Sequence, residues 1–513
     1  MDVRAPARDG GHARPLLVSG AVQRAGRRVW LVLADPIPSR IFIDCGIVDG
    51  LRDRFGDRLQ PVFLIYYRRE FDGWLEKLGG ERVLLPKDLT PEPSRRVERL
   101  LARADAALDR RIGYYPLAIR FNYRHGFHVE RMHPGHGIAL LDTDRIGPLP
   151  HWRVAEQAMQ RWHFSRRRHV PRPLLDRLRA EDPAIVFSNL QMQEAGPFLV
   201  AARRLRLPLV GYVASWDHTV GKGVISQHFD RYIVQNESMK DDLARYHGIE
   251  TERVDVTGWP QSDLFHEERP RSDYEAIVRE LGLDPALPVV VVMGNHPANA
   301  PYEGRLVERL VGWRESTPGA PQLLFRPHPL DRHEWPTRFA AAVEARGAAV
   351  QQPRYTDMDV LATLLRHCDC VVANAGTVLL DALVNDRPAV CVLFDEGAPP
   401  GESWAAKNVI GKHYRELIES GAFLRAERFE EVVAGIERSL DAPDELAAER
   451  RRVVREVVGE VDGRAAERTV DAIVRAIDGP GVWNPAPTAF ASNGDGPGQG
   501  PRVGVATHDP GDE

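Results

Sequence analysis

Three short stretches carry residue types suited to holding an anion. Gly294-Asn295-His296-Pro297 follows the apolar run Val289–Met293, Arg326-Pro327-His328-Pro329 follows Leu323–Phe325, and Asn374-Ala375-Gly376-Thr377 follows Cys370–Ala373. Each apolar run is short enough for a buried strand, so the three segments fall at strand ends. Together they bring small residues, hydrogen-bond donors and one permanent charge to one edge of a sheet. The third is the most informative. After its small-sided break, Thr377–Val384 runs at helical spacing and Ala389–Phe394 is a second apolar run, which makes a strand–helix–strand unit. Backbone N–H groups at Gly376, Thr377 and Val378 can face an anion with no side chain in the way, and the helix dipole favours negative charge there. A diphosphate is the natural guest. Taken alone, the same stretch also fits an ordinary parallel-sheet unit that binds nothing; the other two segments distinguish it.

A second candidate lies earlier. The strand Leu207–Val213 runs into Ser215-Trp216-Asp217-His218-Thr219 and then Gly221-Lys222-Gly223, and polar residues past a strand's carboxyl end are where open α/β sheets place ligands. Asp217 or His218 could take a proton from an acceptor hydroxyl. The alternative is an aspartate cap with a surface histidine. Other clusters carry less. His125, His128, His133 and His136 sit among Gly126, Pro134, Gly135 and Gly137, a loop composition without the frame that fixes metal geometry, so surface or phosphate-contacting roles suit them better. Asp142-Thr143-Asp144 is a carboxylate pair too short to be specific. Arg161–His169 (RWHFSRRRH) reads as a solvated face, or as a dock for an anionic acceptor such as a lipid-linked phosphate at the inner membrane surface. Cys368 and Cys370 are half a zinc site at best, and packing explains them.

The elements that position these residues alternate. Val29–Ala34 and Val62–Tyr66 are strands around a helix over Ile41–Phe55, and Ala184–Ser188, Leu207–Val213, Arg231–Val234 and Val254–Thr257 continue the series. A helix over Met239–Tyr246 is expected to take Ser238 as its cap. Helices are also expected over Glu92–Asp109, Tyr274–Leu281, Glu303–Glu315, Val360–Leu365, Phe429–Leu440 and Glu445–Asp478. Strands alternating with helices imply parallel α/β sheets. At 513 residues the chain is too long for one core. The expected order is a flexible arm over 1–27, a first Rossmann-like unit over 28–265 with an irregular Arg/His-rich part near 110–180, a second over 266–425, helices over 426–478, and a disordered tail over 479–513. A hydrophobic share of 43% and a charged share of 27% are those of a soluble globular protein. A net charge of −5 argues against a general nucleic-acid binder. Four cysteines give no disulfide framework. The absence of a long apolar run or apolar signal core places the expected site of action in the cytoplasm.

The order of these motifs carries a family resemblance. Two Rossmann-like halves, R-P-H-P after a mid-domain strand and A-N-A-G-T-V-L-L-D-A-L resemble the nucleotide-binding half of a GT-B glycosyltransferase. Ser215-Trp216-Asp217, together with Val256-Thr257-Gly258-Trp259-Pro260 and Asp263, narrows this to bacterial surface-polysaccharide transferases and the CDP-glycerol glycerophosphotransferase group. The resemblance implies that the second unit holds a UDP-, GDP-, dTDP- or CDP-linked donor, the first unit a polymer or lipid-linked acceptor, and the cleft the chemistry. It implies that Arg326 and His328 neutralise the donor diphosphate, that Gly376 and Thr377 cradle it, and that Asp381 stands where relatives hold the ribose with a longer Glu. The implied activity is a metal-independent, cofactor-free glycosyl transfer. The alternatives are polyol-phosphate transfer from a CDP-linked donor and a non-catalytic scaffold. A sugar-nucleotide 2-epimerase is the weakest alternative, because H-V-E-A-G-L-R is replaced by Y-V-A-S-W-D-H.

Overall fold

The computed structural model describes residues 26–65, 69–89, 100, 103–104, 121, 170–190, 196–221, 223–226, 228–296, 300–329, 340–352, 354–399 and 416–479. The expected arm, nearly all of the helix over Glu92–Asp109, the histidine run, Asp142-Thr143-Asp144, Arg161–His169 and the expected tail beyond residue 479 lie outside them.

Among the described residues, twelve strands form two parallel sheets. The first holds β1 (Val29–Leu33), β2 (Leu59–Phe63), β3 (Ala184–Phe187), β4 (Leu209–Tyr212), β5 (Arg231–Val234) and β6 (Val254–Val256), in the order β2-β1-β3-β4-β5-β6. The second holds β7 (Val289–Met293), β8 (Gln322–Arg326), β9 (Ala349–Val350), β10 (Cys370–Asn374), β11 (Ala389–Val392) and β12 (Leu424–Ala426), in the order β12-β11-β10-β7-β8-β9. β1, β7, β8 and β10 are buried throughout, which is why β1 and β7 read as unbroken apolar runs and β8 and β10 carry polar residues only at their ends, Gln322, Arg326 and Asn374. In both sheets the strand order reverses beside the first strand, the switch point at which such sheets open a crevice.

The helices of the first unit include α1 (Pro36–Asp44), α2 (Ile47–Phe55), α3 (Arg172–Glu181), α4 (Gly196–Leu205), α5 (His218–Gly221), α6 (Glu237–His247) and α7 (Gln261–His266). The single helix expected over Ile41–Phe55 is two, because Gly46 adopts φ +79° and breaks the backbone run. The cap of α6 is Asn236, not Ser238: its side chain accepts from Met239 N–H at 2.8 Å, and Ser238 already lies inside the helix. The second unit adds α8 (Arg271–Glu280), α9 (Glu303–Ser316), α10 (Met358–His367), α11 (Thr377–Val384), α12 (Phe429–Asp441), α13 (Ala447–Val453) and α14 (Ala465–Asp478). The helix expected over Glu445–Asp478 is interrupted. A π turn over Val454–Val458 follows α13, and Gly459 and Gly463 at φ +95° and +73° reverse the chain before α14.

α14 returns to the first sheet. Val470, Ala472, Ile473 and Ile477 join the core formed by Val29, Leu31 and Leu51, and Gly50 of α2 leaves room where a Cβ would stand 2.8 Å from Val470. The start of α14 is held by the first unit: Asp263 accepts from Ala465 and Ala466 N–H at 3.1 and 2.8 Å, and the Thr469 hydroxyl donates to that of Thr257 at 2.9 Å. A carboxylate supplied from elsewhere in the chain thus caps the helix and meets its positive end. The Thr257-Gly258-Trp259-Pro260 motif with Asp263 is a socket for this helix; at Gly258, φ +90°, a Cβ would meet Arg468 and Ala465.

Candidate functional site

The carboxyl ends of β7, β8 and β10 meet as expected, and one buried carboxylate joins two of them. Glu303, at the first turn of α9, accepts from Asn295 N–H at 3.1 Å and from the Asn374 side-chain amide at 3.2 Å. Asn295 in turn donates to the Ala375 carbonyl at 3.2 Å and accepts from His296 N–H at 2.7 Å. Gly294 donates to the Arg326 carbonyl at 2.8 Å, and a Cβ there would stand 2.8 Å from His328 N, so only glycine lets the two loops touch. The His296 and His328 rings lie 5.4 Å apart, edge to face. Gly376 precedes α11 with extended backbone, and Thr377 opens the helix exposed. Gly294, Asn295, His296, His328, Asn374, Gly376 and Thr377 therefore share one rim. Glu303, which organises it, lay in a predicted helix, and its only signal was an acidic residue in the first turn.

Three residues stand differently from what the resemblance implied. Arg326 does not offer its charge to the rim: only 5% exposed, it pairs with Asp357 at 2.9 Å and donates to Gln351. A guanidinium this deep must be paired, and the chain supplies the partner itself. Asp381 is buried and turned toward the first unit, where Gln261 of α7 donates to it at 2.8 Å. Burial pushes its carboxyl up to about 7, against the opposing charge of Arg40 and the hydrogen bond from Gln261. Such a group is a bridge between units, and its carboxylate is already engaged. His328 also needs a correction. Burial, with His296 and Arg40 nearby, pushes it down to about 3, so at neutral pH it is an uncharged hydrogen-bonding ring and neutralises nothing.

The charge missing from the rim comes from Arg40, in the middle of α1. Its guanidinium donates to the Gln261 side chain at 3.3 Å and lies near enough to Asp381 and His328 to act on both. Its Nε is buried without a hydrogen-bond partner. Nothing in the sequence around Arg40 marks it, because the groups it acts on, Asp381 and His328, come from the second unit.

Asp217 and His218 occupy a different strand end, after β4. Asp217 is buried and accepts a hydrogen bond from the Ser215 hydroxyl. His218 starts α5, which α6 fixes from below. Thr219 donates to Asp242 at 3.0 Å, and His247 receives Ile225 N–H on Nδ1 at 3.0 Å while its Nε2 lies 2.8 Å from the Thr219 carbonyl. His247 is thus a neutral ring with both nitrogens engaged, a positioning group that the sequence reading missed. Cys368, Cys370 and Cys391 are buried, and burial raises all three thiols, as packing residues require. Among the described residues, no three His, Cys, Asp or Glu side chains gather as metal ligands.

Residues 222–475, about half of the chain, match the family CDP-Glycerol:Poly(glycerophosphate) glycerophosphotransferase. No curated protein matches the sequence. Among solved structures, the chain is similar to S. aureus MnaA in a UDP co-structure, at 10% identity and a TM-score of 0.49 over 88% of this chain and 97% of that one. It is similar to UDP-GlcNAc 2-epimerase from Neisseria meningitidis bound to UDP-GlcNAc, at 10% identity and 0.49 over 87% and 100%. It is also similar to a variant of the wall teichoic acid polymerase TagF, at 14% identity and 0.36 over 48% and 58%. None of these likenesses reaches a TM-score of 0.5, and none carries an argument about chemistry. The match over residues 222–475, which contains the whole rim around Glu303, relates this half of the chain to the CDP-glycerol glycerophosphotransferase family and supports a nucleotide-donor transferase.

Proposed function

We propose that the chain transfers a polyol-phosphate unit from a CDP-linked donor to a hydroxyl of a cell-surface polymer or its lipid-linked precursor. The observation that carries this reading is the convergence of three strand ends on one rim, within the family match, with a buried and unsatisfied guanidinium N–H delivered to it by the other unit. The donor phosphates rest against the N–H groups of Gly376, Thr377 and Val378 and are neutralised by Arg40. His296 and His328 hydrogen-bond the same oxygens. Asp217 or His218 takes the proton of the attacking hydroxyl, the new oxygen–phosphorus bond forms as the bond to CMP breaks, and the negative charge on CMP is held by Arg40 and the helix-terminal amides. Glycosyl transfer from a UDP-, GDP- or dTDP-sugar is the second reading, favoured by the order of the R-P-H-P and A-N-A-G-T motifs; there the departing group is the nucleoside diphosphate. The Arg161–His169 run adds a proposed peripheral contact with an anionic inner membrane surface. No helix among the described residues is long and apolar enough to cross a membrane.

A thermal-shift panel of CMP, CDP, UDP, GDP, dTDP and their polyol or sugar conjugates tests the donor. A ligand at about 100 times its Kd adds about 2.7 kcal/mol of stability. Selective stabilisation by cytidine nucleotides, lost in Arg40→Ala and weakened in His328→Ala, is expected. Stabilisation by another base moves the second reading to first place. No response to any nucleotide by folded wild type leaves a non-catalytic scaffold.

A further inference from the structure

The second unit touches the first at another place, beyond its edge strand β9. Tyr355 lies in the loop between β9 and α10, and both ends of that loop are fixed in their own unit: Gln351 N–H donates to the Phe325 carbonyl at 2.9 Å, and Met358 is buried. The Tyr355 ring, 2% exposed, is buried in the other unit. Among the described residues, it is the one residue of 266–464 in the cluster that holds Val29, Leu31, Phe42 and Leu51. Its ring centroid stands 6.0 Å from that of Phe71 and 6.4 Å from that of Trp74, and those two rings stack at 4.9 Å. Rings at these distances attract one another beyond the area they bury.

The stack is tied to α1. Trp74 Nε1–H donates to Asp44 at 3.1 Å, and Lys77 donates to the other carboxylate oxygen at 2.9 Å. Asp44 is the last residue of α1, and its side chain is 8% exposed. Arg40 stands one turn earlier on the same face, and its positive charge acts on Asp44. A carboxylate this deep needs partners, and these join the aromatic stack to the helix that delivers Arg40. Arg40 belongs to one unit, while Asp381 and His328 belong to the other, so its reach depends on the angle between the units. The Gln261–Asp381 hydrogen bond holds that angle at α11, which follows β10. Tyr355 holds it after β9, three strands further along the sheet. A packed aromatic contact there has little slack, and it resists a rotation that one hydrogen bond allows. We infer that Tyr355 is a positioning residue: seated against Phe71 and Trp74, it fixes the angle at which the first unit presents Arg40 to the donor rim. The step through Arg40 rests on the proposed donor site; the contact between units does not.

Distances between nitroxide labels test the contact on the full chain with no ligand added. Labels at the exposed positions Asp53→Cys and Glu308→Cys, in a Cys45→Ser background, report the spacing of the units, since the other three cysteines are buried. One narrow distance distribution is expected, kept in Tyr355→Phe and broadened or shifted in Tyr355→Ala. Trp74→Leu removes the receiving ring and should do the same, so that poor folding of one variant leaves the other to decide. Affinities for CDP and UDP then test the route. Tyr355→Ala should weaken the nucleotide that binds roughly tenfold, a usual size for coupling between sites, with Tyr355→Phe close to wild type. In an Arg40→Ala background the same change should cost less than about twofold, because the two residues act as one unit. The inference is overturned if Tyr355→Ala and Trp74→Leu leave the distances unchanged, if Tyr355→Phe disturbs them as much, or if affinity falls equally in both Arg40 backgrounds. Absence of nucleotide binding by wild type, with the distances responding, sinks the donor reading and the step through Arg40 with it, while the contact between units stands.

Discussion

The two sheets each end in a candidate rim, and the two rims are held in opposite ways. That of the second sheet is closed on itself: Glu303, Asn295 and Gly294 bind its loops to one another within one unit. The rim of the first sheet is held from outside its own strands, by α6 beneath α5 and by the π turn through Asn236. A self-contained rim suits a donor of fixed shape. A rim completed by chain from the other unit ties acceptor geometry to how the units meet. Arg40, Gln261 and Asp381 make that meeting polar at the cleft.

The largest test of this contrast removes support from the second rim without touching its surface. Asp357→Ala leaves Arg326 buried and unpaired, and a loss of about 3–5 kcal/mol is expected in urea unfolding, with nucleotide affinity per folded molecule retained. If affinity falls instead with stability unchanged, Arg326 belongs to the donor after all. Glu303→Ala should cost about 2 kcal/mol, because it orphans Asn295 N–H and the Asn374 amide, and should weaken donor binding together with stability. A smaller effect is expected at the first rim's borrowed support: Asp263→Ala removes the cap of α14 and should cost about 1 kcal/mol, seen as faster amide exchange over residues 465–478. The last test concerns the bridge. With its carboxyl raised from 3.8 to about 7, Asp381 binds a proton in the folded protein that the unfolded chain releases. Its contribution to stability is therefore complete below about pH 4 and lost as pH rises through about 7. Asp381→Asn should flatten the stability profile over that window, and an unchanged profile would remove Asp381 from the bridge.

Much of this architecture is written locally. The strands of both sheets are apolar runs bounded by turn residues, and the three loops of the donor rim stood out because small and polar residues follow each run. What was not legible depends on distance. Arg326 looked like a free charge until Asp357, on the loop before α10, came to meet it. Asp381 looked like a ligand contact until Gln261 reached it from the other unit. The break at Gly46 and the π turn after Val453 were missed because both interrupt an apolar helical period without ending it. Arg40 has no motif at all; its significance comes from the cleft it enters. The Gly258-Trp259-Pro260 motif with Asp263 was read as a family mark, and its physical task, receiving α14, needed the fold.

The return of α14 to the first sheet also sets an order of assembly. The last strand of that sheet ends at Val256, and the helix that completes its core begins roughly 200 residues later, at Ala465. At about 5–20 residues per second, synthesis leaves the α2 face of the first unit uncovered for roughly 10–40 s. The second unit has its strands in hand before the first can close. A ribosome stalled after α12 would therefore carry a second sheet with its core helix in place and a first unit still exposing Leu51 and its neighbours, the state in which chaperone binding or proteolysis acts most strongly on this chain.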